Sequence, residues 1–166
     1  MRVGVALGSN LGDRLANLRA ARNAMVDLAG IQPPILFSSI YETEPVDCEP
    51  GANKFFNAVL EFDYKGDPQS LLRDLKAIES LLGRPGDHAR NISRSIDIDL
   101  LYADDMKIDD ERLHLPHPRM HLRRFVLAPL AEIRPDLILT NQTKTVAQLL
   151  AILNDPAGVV RREDQW

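Results

Sequence analysis

The chain has 166 residues, 45% of them apolar, which is enough to bury a core without disulfides, and its single Cys48 has no partner for one. No stretch reaches the apolar length needed to cross a membrane, and Met1 to Asn10 reads as a first strand rather than a signal peptide. A formal charge of −4 disfavours a polyanionic partner such as nucleic acid, so one soluble cytoplasmic domain, residues 1–166, acting on a small anionic ligand is expected.

Residues 2–8 (Arg-Val-Gly-Val-Ala-Leu-Gly) read as a buried strand that turns at Gly8-Ser9-Asn10-Leu11-Gly12. From Asp13 a helix is expected, with Leu15, Leu18, Ala21, Met25 and Leu28 at helical spacing and Gly30 as its stop. Pro33-Pro34 leads into an extended second strand, Ile35–Tyr41, and Glu42 to Asn53 reads as a loop. Phe55 to Tyr64 alternates as a strand does. Phe56, Ala58, Leu60 and Phe62 suit a core, whereas Phe55, Asn57, Val59 and Glu61 form a mixed face able to hold a ligand. Asp67-Pro68 starts a helix whose Leu71, Leu75, Ile78 and Leu82 are buried up to Gly83. Glu79 falls outside that stripe, near the end of the helix where a carboxylate is unfavourable; it is either plainly exposed or held there by a partner.

After an irregular polar loop at Gly83–Ser93, Arg94-Ser95-Ile96-Asp97-Ile98-Asp99-Leu100-Leu101-Tyr102 alternates again. Residues two apart on a strand share a face, so Asp97 and Asp99 stand roughly 6–7 Å apart at Cα while Ile96, Ile98 and Leu100 face a core. Two repelling carboxylates call for a cation, and oxygen-only ligands favour Mg²⁺; the competing reading is a solvated sheet face. Basic neighbours favour the cation. Between Leu82 and Phe125 lie Arg84, Arg90, Arg94, Arg112, Arg119, Arg123 and Arg124, with His88, His114, His117 and His121. Arginine forks match phosphate oxygens and Mg²⁺ bridges phosphate to carboxylate, so these are the parts of a nucleotide triphosphate site.

A short returning strand is expected near Met106–Ile108, an extended Leu115-Pro116-His117-Pro118, a helix from Arg123 to Ala131 and a last one from about Thr145 to Leu153. The order β-α-β-β-α-β implies an α+β, ferredoxin-like fold: an antiparallel sheet with helices on one face and an open ligand-binding face. Neither a P-loop nor a Gly-rich dinucleotide fingerprint is present, so side chains and metal must hold any nucleotide. Zinc at His114, His117 and His121 is disfavoured by Pro116, Pro118 and the lack of a cysteine among them; His117 is better suited to donate to a phosphate. Phe55 and Phe125 are either core residues or the two faces of a sandwich around a flat heterocycle, with Asn57 reading its polar edge.

Taken together, Ala6-Leu7-Gly8-Ser9-Asn10-Leu11-Gly12, Tyr41-Glu42-Thr43-Glu44-Pro45, Phe56-Asn57-Ala58, Ile78-Glu79 with Gly83-Arg84, Arg94 to Leu101, and Leu115-Pro116-His117-Pro118 with Arg123 to Leu130 resemble the 6-hydroxymethyl-7,8-dihydropterin pyrophosphokinases of folate biosynthesis, in order, over about residues 3–138. The resemblance implies transfer of the ATP pyrophosphate to the pterin hydroxymethyl group with release of AMP, and a monomer or weak homo-oligomer. It implies that Asp97 and Asp99 hold two Mg²⁺ ions along ATP. It assigns Arg84, Arg94, His117 and Arg123 to the phosphates or their transfer, Arg84 and Arg94 as catalytic, and Glu79 to the nucleotide site. Thr43, Phe55, Asn57 and Phe125 match the pterin pocket, with the main chain of Glu44 and Val46; Phe55 stands where tyrosine is frequent. Departures cluster at Gly86 and at Arg90-Asn91-Ile92-Ser93-Arg94, in the loop expected to close over the substrates, where Arg90 or His88 is the candidate substitute. The competing functions are a non-catalytic pterin- or nucleotide-binding module, and an RNA-binding domain stacking bases on Phe55 and Phe125.

Overall fold

The computed structural model describes residues 1–45, 51–83 and 95–166. At the centre lies β1 (Arg2–Ser9), whose Val3, Val5 and Leu7 point to one face and Gly4, Ala6 and Gly8 to the other. It pairs antiparallel with β4 (Phe55–Tyr64), Gly8 opposite Asn57, and with β5 (Asp97–Ala103), Gly8 opposite Asp97. With β3 (Tyr41–Thr43) and β8 (Val159–Arg161) the sheet runs β5-β1-β4-β3-β8, and β2 (Ile31–Phe37) also pairs β4.

On the first face lie α1 (Arg14–Val26) and α2 (Pro68–Leu81). Asp13 caps α1 by accepting the Ala16 N–H at 3.0 Å, and Asp67 caps α2 through the Ser70 N–H at 2.9 Å, with Pro68 opening the helix. Leu18, Ala21 and Met25 of α1 and Leu71, Leu75 and Ile78 of α2 form one core with Val3, Val5, Leu7, Leu60, Phe62 and Ile98. Burying each large aliphatic side chain contributes about 1.5–3 kcal/mol. Helix α1 ends at Val26, before the expected stop; Gly30, at φ +95°, instead serves the turn into β2, where a Cβ would come within 2.8 Å of the Lys65 carbonyl.

The second strand differs from the expectation of Ile35–Tyr41. It starts at Ile31 and carries Pro33-Pro34 in a register shift between Gln32 and Leu36, because prolines have no N–H for the ladder. After Ser38 the chain rejoins β4 as β3, with Tyr41 opposite Asn57 and Thr43 opposite Phe55. Among the described residues the returning strand near residue 108 does not extend the main sheet; β6 (Ile108–Asp109) pairs with β7 (His114–Leu115) as a separate ribbon.

The expectation of helices on one face and an open second face is corrected. α3 (Arg124–Ile133) and α4 (Val146–Ile152) cover much of the second face, packing Val126, Leu127, Leu130, Val146 and Leu149 on Val59, Leu101 and Tyr102. Physically, a Val, a Leu and a Tyr on that face require a cover. The register shift at Gly4/Val5 pairs Gly4 with Tyr102 and Val5 with Leu100, so Leu101 is the extra residue. Tyr102 lies against Gly4, where a Cβ would meet its ring at 2.2 Å, and its hydroxyl donates to Glu61. Glu61 is itself fully buried, accepting from Arg2 Nε at 2.6 Å and Arg134 Nη1 at 2.8 Å. Val59 and Glu61, expected on a ligand face, are therefore interior residues. What remains of that face is the end carrying Phe55, Asn57, Gly8 and Asp97.

Candidate active site

The carboxylate pair sits at the sheet's outer edge. Asp97 lies opposite Gly8 and Asp99 opposite Ala6, so both share the face that holds Asn57 opposite the same Gly8. Both are half-buried, and Asp99 Oδ2 stands 4.0 Å from Arg123 Nη1. Side-by-side carboxylates within reach of solvent offer oxygen donors, which fit a hard divalent cation.

Because β5 is an edge strand, the backbone groups of Ile98, between the two aspartates, need partners beyond the sheet. Helix α2 supplies them. Glu79 Oε1 accepts the Ile98 N–H at 2.7 Å, and Lys76 Nζ donates to the Ile98 carbonyl at 3.3 Å and to Glu79 Oε2 at 2.8 Å. Glu79 is only 1% exposed, so the exposed reading of it is corrected. Burial pushes its carboxyl up, against the pull of Lys76 and the Ile98 N–H, and Asp97 adds to the rise. Lys76 is a site residue not expected from the sequence; its spacing three residues before Glu79 is the signal for it.

His117 is pinned to β5 by its own N–H, which donates to the Leu101 carbonyl at 2.7 Å. Its Nδ1 accepts the Arg119 N–H at 3.2 Å, which leaves the ring proton on Nε2 as a donor. Burial, then the guanidinium charges of Arg123 and Arg119, push its pKa down to about 4. At neutral pH it offers an uncharged N–H, suited to a phosphate oxygen. His114 turns elsewhere, to Asp109 at 2.6 Å on the β6–β7 ribbon.

At the other end of the face, Asn57 and Thr43 are buried and joined, Asn57 Nδ2 donating to Thr43 Oγ1 at 2.7 Å. The Asn57 carboxamide oxygen points over Gly8, where a Cβ would come within 3.0 Å of it and 3.8 Å of the Phe55 ring. Gly8 is thus the bare floor of a trough walled by Phe55 and Asn57 and leading to Asp97. Phe125 opens α3 beside Arg123, whose guanidinium lies 5.4 Å from the Phe125 ring centroid. Among the described residues Phe55 and Phe125 do not stack on each other; the one ring pair in contact is Phe37 with Trp166. The main-chain N–H of Glu44 donates to the Gly158 carbonyl at 3.3 Å. The proposed roles of Arg84, Arg94 and Val46 fall outside the described residues, as do Cys48, Gly86, His88, Arg90 and the rest of the altered loop.

Comparison with known proteins points the same way as this geometry. The family model described as 7,8-dihydro-6-hydroxymethylpterin-pyrophosphokinase (HPPK) matches residues 4–135. A Methylorubrum extorquens protein named 2-amino-4-hydroxy-6-hydroxymethyldihydropteridine pyrophosphokinase is 40% identical over 162 residues, 98% of this chain and 99% of its own length. A protein of the same name from Bacillus subtilis is 43% identical over 129 residues, 78% of this chain and 75% of the relative. In fold, the chain resembles wild-type Plasmodium falciparum HPPK-DHPS with SDX-DHP, at TM-score 0.69 and 15% identity over 90% of this chain, which spans 44% of that longer one. With the matched segment running from the glycine face of β1 to the end of α3, and a relative 40% identical over 99% of its own length, the chain belongs to the 7,8-dihydro-6-hydroxymethylpterin-pyrophosphokinase family.

Proposed function

We propose that the protein transfers the pyrophosphate of ATP to the hydroxymethyl group of 6-hydroxymethyl-7,8-dihydropterin, giving the pterin diphosphate and AMP, a step of folate biosynthesis. The observation that carries this reading is the shared row of Asp97, Gly8 and Asn57. A carboxylate site for metal-bound phosphate and a hydrogen-bonding trough for a flat ring then lie about 10 Å apart, two strand spacings, with only a glycine between them. The strand order β5-β1-β4-β3 supports a ferredoxin-like plan for the single domain of residues 1–166.

In this mechanism the hydroxymethyl oxygen attacks the β-phosphorus of ATP, the bond from that phosphorus to the α–β bridging oxygen breaks, AMP leaves and the hydroxyl proton passes to solvent. Asp97 and Asp99 would hold two Mg²⁺ ions, which when bound neutralise charge along the triphosphate. Arg123 and the Nε2–H of His117 bind phosphate oxygens, joined by Arg84 and Arg94, and Glu79 belongs to the nucleotide end. Asn57 and Thr43 read the polar edge of the pterin, the main chain of Glu44 and Val46 adds hydrogen bonds, and Phe55 and Phe125 enclose its faces. Holding the reactants in line supplies the rate without a strong protein base. No helix among the described residues is long and apolar enough to cross a membrane; a cytoplasmic monomer or weak homo-oligomer is part of the proposal.

The test is ³¹P NMR of the protein with ATP and Mg²⁺, with and without the pterin. AMP and a pterin diphosphate appearing only with pterin is the expected result. ADP would overturn the reaction assigned, and binding of both ligands with no AMP would indicate a non-catalytic module.

A further inference from the structure

The family match ends at residue 135, yet the chain beyond it reaches both walls of the proposed pterin pocket. At one wall, Arg123 gives α3 no side-chain cap. Asp155 does so from a distance, its Oδ2 accepting the Arg124 N–H at 3.0 Å, one residue before Phe125. The Arg124 side chain returns the contact, donating to the carbonyls of Leu153 at 2.7 Å and Asp155 at 3.4 Å. Asp155 Oδ1 also accepts the Ala157 N–H at 2.9 Å, turning the chain. At the other wall, β8 adds to the sheet edge with Val159 opposite Thr43, and Gly158 accepts the Glu44 N–H. The Arg162 N–H donates to Ile40 at 2.8 Å, and Trp166 Nε1 to Ser38 at 2.8 Å.

Only Pro156, Ala157 and Gly158 separate the two anchors, so the tail is a short strap tying the start of α3 to β3. We propose that this strap sets the width of the pterin pocket, with Asp155 as a positioning residue that holds Phe125 at a fixed offset from Thr43 and Asn57. The inference rests on the pterin reading given above. Asp155 touches neither substrate; its effect passes through the α3 N-terminus, which carries Phe125 and, next to it, Arg123 of the phosphate site, and it falls mainly on the pterin because Asp97 and Asp99 stand on β5 at the opposite sheet edge.

Steady-state kinetics on the full chain test it. Asp155→Ala is expected to raise KM for the pterin at least fivefold and KM for MgATP by a clearly smaller factor, and Asp155→Asn, whose one amide oxygen can accept only one of the Arg124 and Ala157 N–H groups, to restore part of the loss. Insertion of two glycines between Ala157 and Gly158 keeps both anchors and every side chain but lengthens the strap, and should produce the same selective rise. If Asp155→Ala does not fold, the insertion decides alone. Unchanged pterin KM in the insertion variant, or equal rises in both KM values, would overturn the strap. Wild-type protein that forms no AMP and binds no pterin would instead overturn the function it rests on.

Discussion

Gly8 decides more about the trough than any side chain around it. Its missing Cβ leaves the space over β1 into which Asn57 projects its oxygen. Gly8→Val should displace Asn57 and weaken pterin affinity tenfold or more, in line with the roughly 1–3 kcal/mol typical of overpacking. Titration of a fluorescent pterin checks this; unchanged affinity would remove the trough from the site. His117 carries a pH signature. Its folded pKa of about 4 lies below the ordinary 6.5, so between those values the unfolded chain binds a proton that the folded one refuses. Its contribution to stability is therefore constant above about 6.5 and falls as pH drops towards 4. The stability deficit of His117→Gln in urea melts should be smaller at pH 5 than at pH 7, and equal deficits would contradict its neutral state. The sequence alone pointed to His117 as a phosphate donor but could not fix its tautomer, which depends on the backbone N–H of Arg119 two residues away.

At the level of elements, strict alternation made β4 legible to the residue and put β5, expected over Arg94–Tyr102 and found over Asp97–Ala103, within a few residues. β4 spans Phe55–Tyr64 as its pattern predicts, and β5 brings Asp97 and Asp99 to one face. What was not legible depended on tertiary partners. The Glu79 carboxylate looks misplaced on an isolated helix because its reason is the outer edge of β5, reachable only once α2 packs there. Removing it strands the Ile98 N–H, and Glu79→Ala should cost about 1–3 kcal/mol. Glu79→Gln, which keeps an acceptor, should cost less. Equal urea midpoints for wild type and the alanine variant would show that the latch contributes nothing. β8 had no sequence signal either, since a three-residue strand is defined by the edge it joins rather than by its own pattern.

At the scale of the whole molecule, the described residues form a core on each face of the sheet, of which one was legible in the sequence. The apolar residues of the second face are spread singly over β4 and β5, and their cover arrives from distant α3 and α4, so local periodicity underestimates how much of the face is closed. Glu61 binds these parts together from β4, meeting Arg2 of β1, Tyr102 of β5 and Arg134 beyond α3. Glu61→Ala removes the shared acceptor of two partly exposed arginines and the Tyr102 hydroxyl and should destabilise the fold by about 1–3 kcal/mol, with no measurable loss in chemical denaturation refuting that role. The docked tail has a spectroscopic consequence. Trp166, the chain's one tryptophan, meets Phe37 edge-on at 6.1 Å and donates its indole N–H to Ser38, so it is a built-in optical probe of the tail. Release of the tail should red-shift and alter its emission while far-ultraviolet circular dichroism stays constant, making the strap's attachment visible in unlabelled protein during turnover.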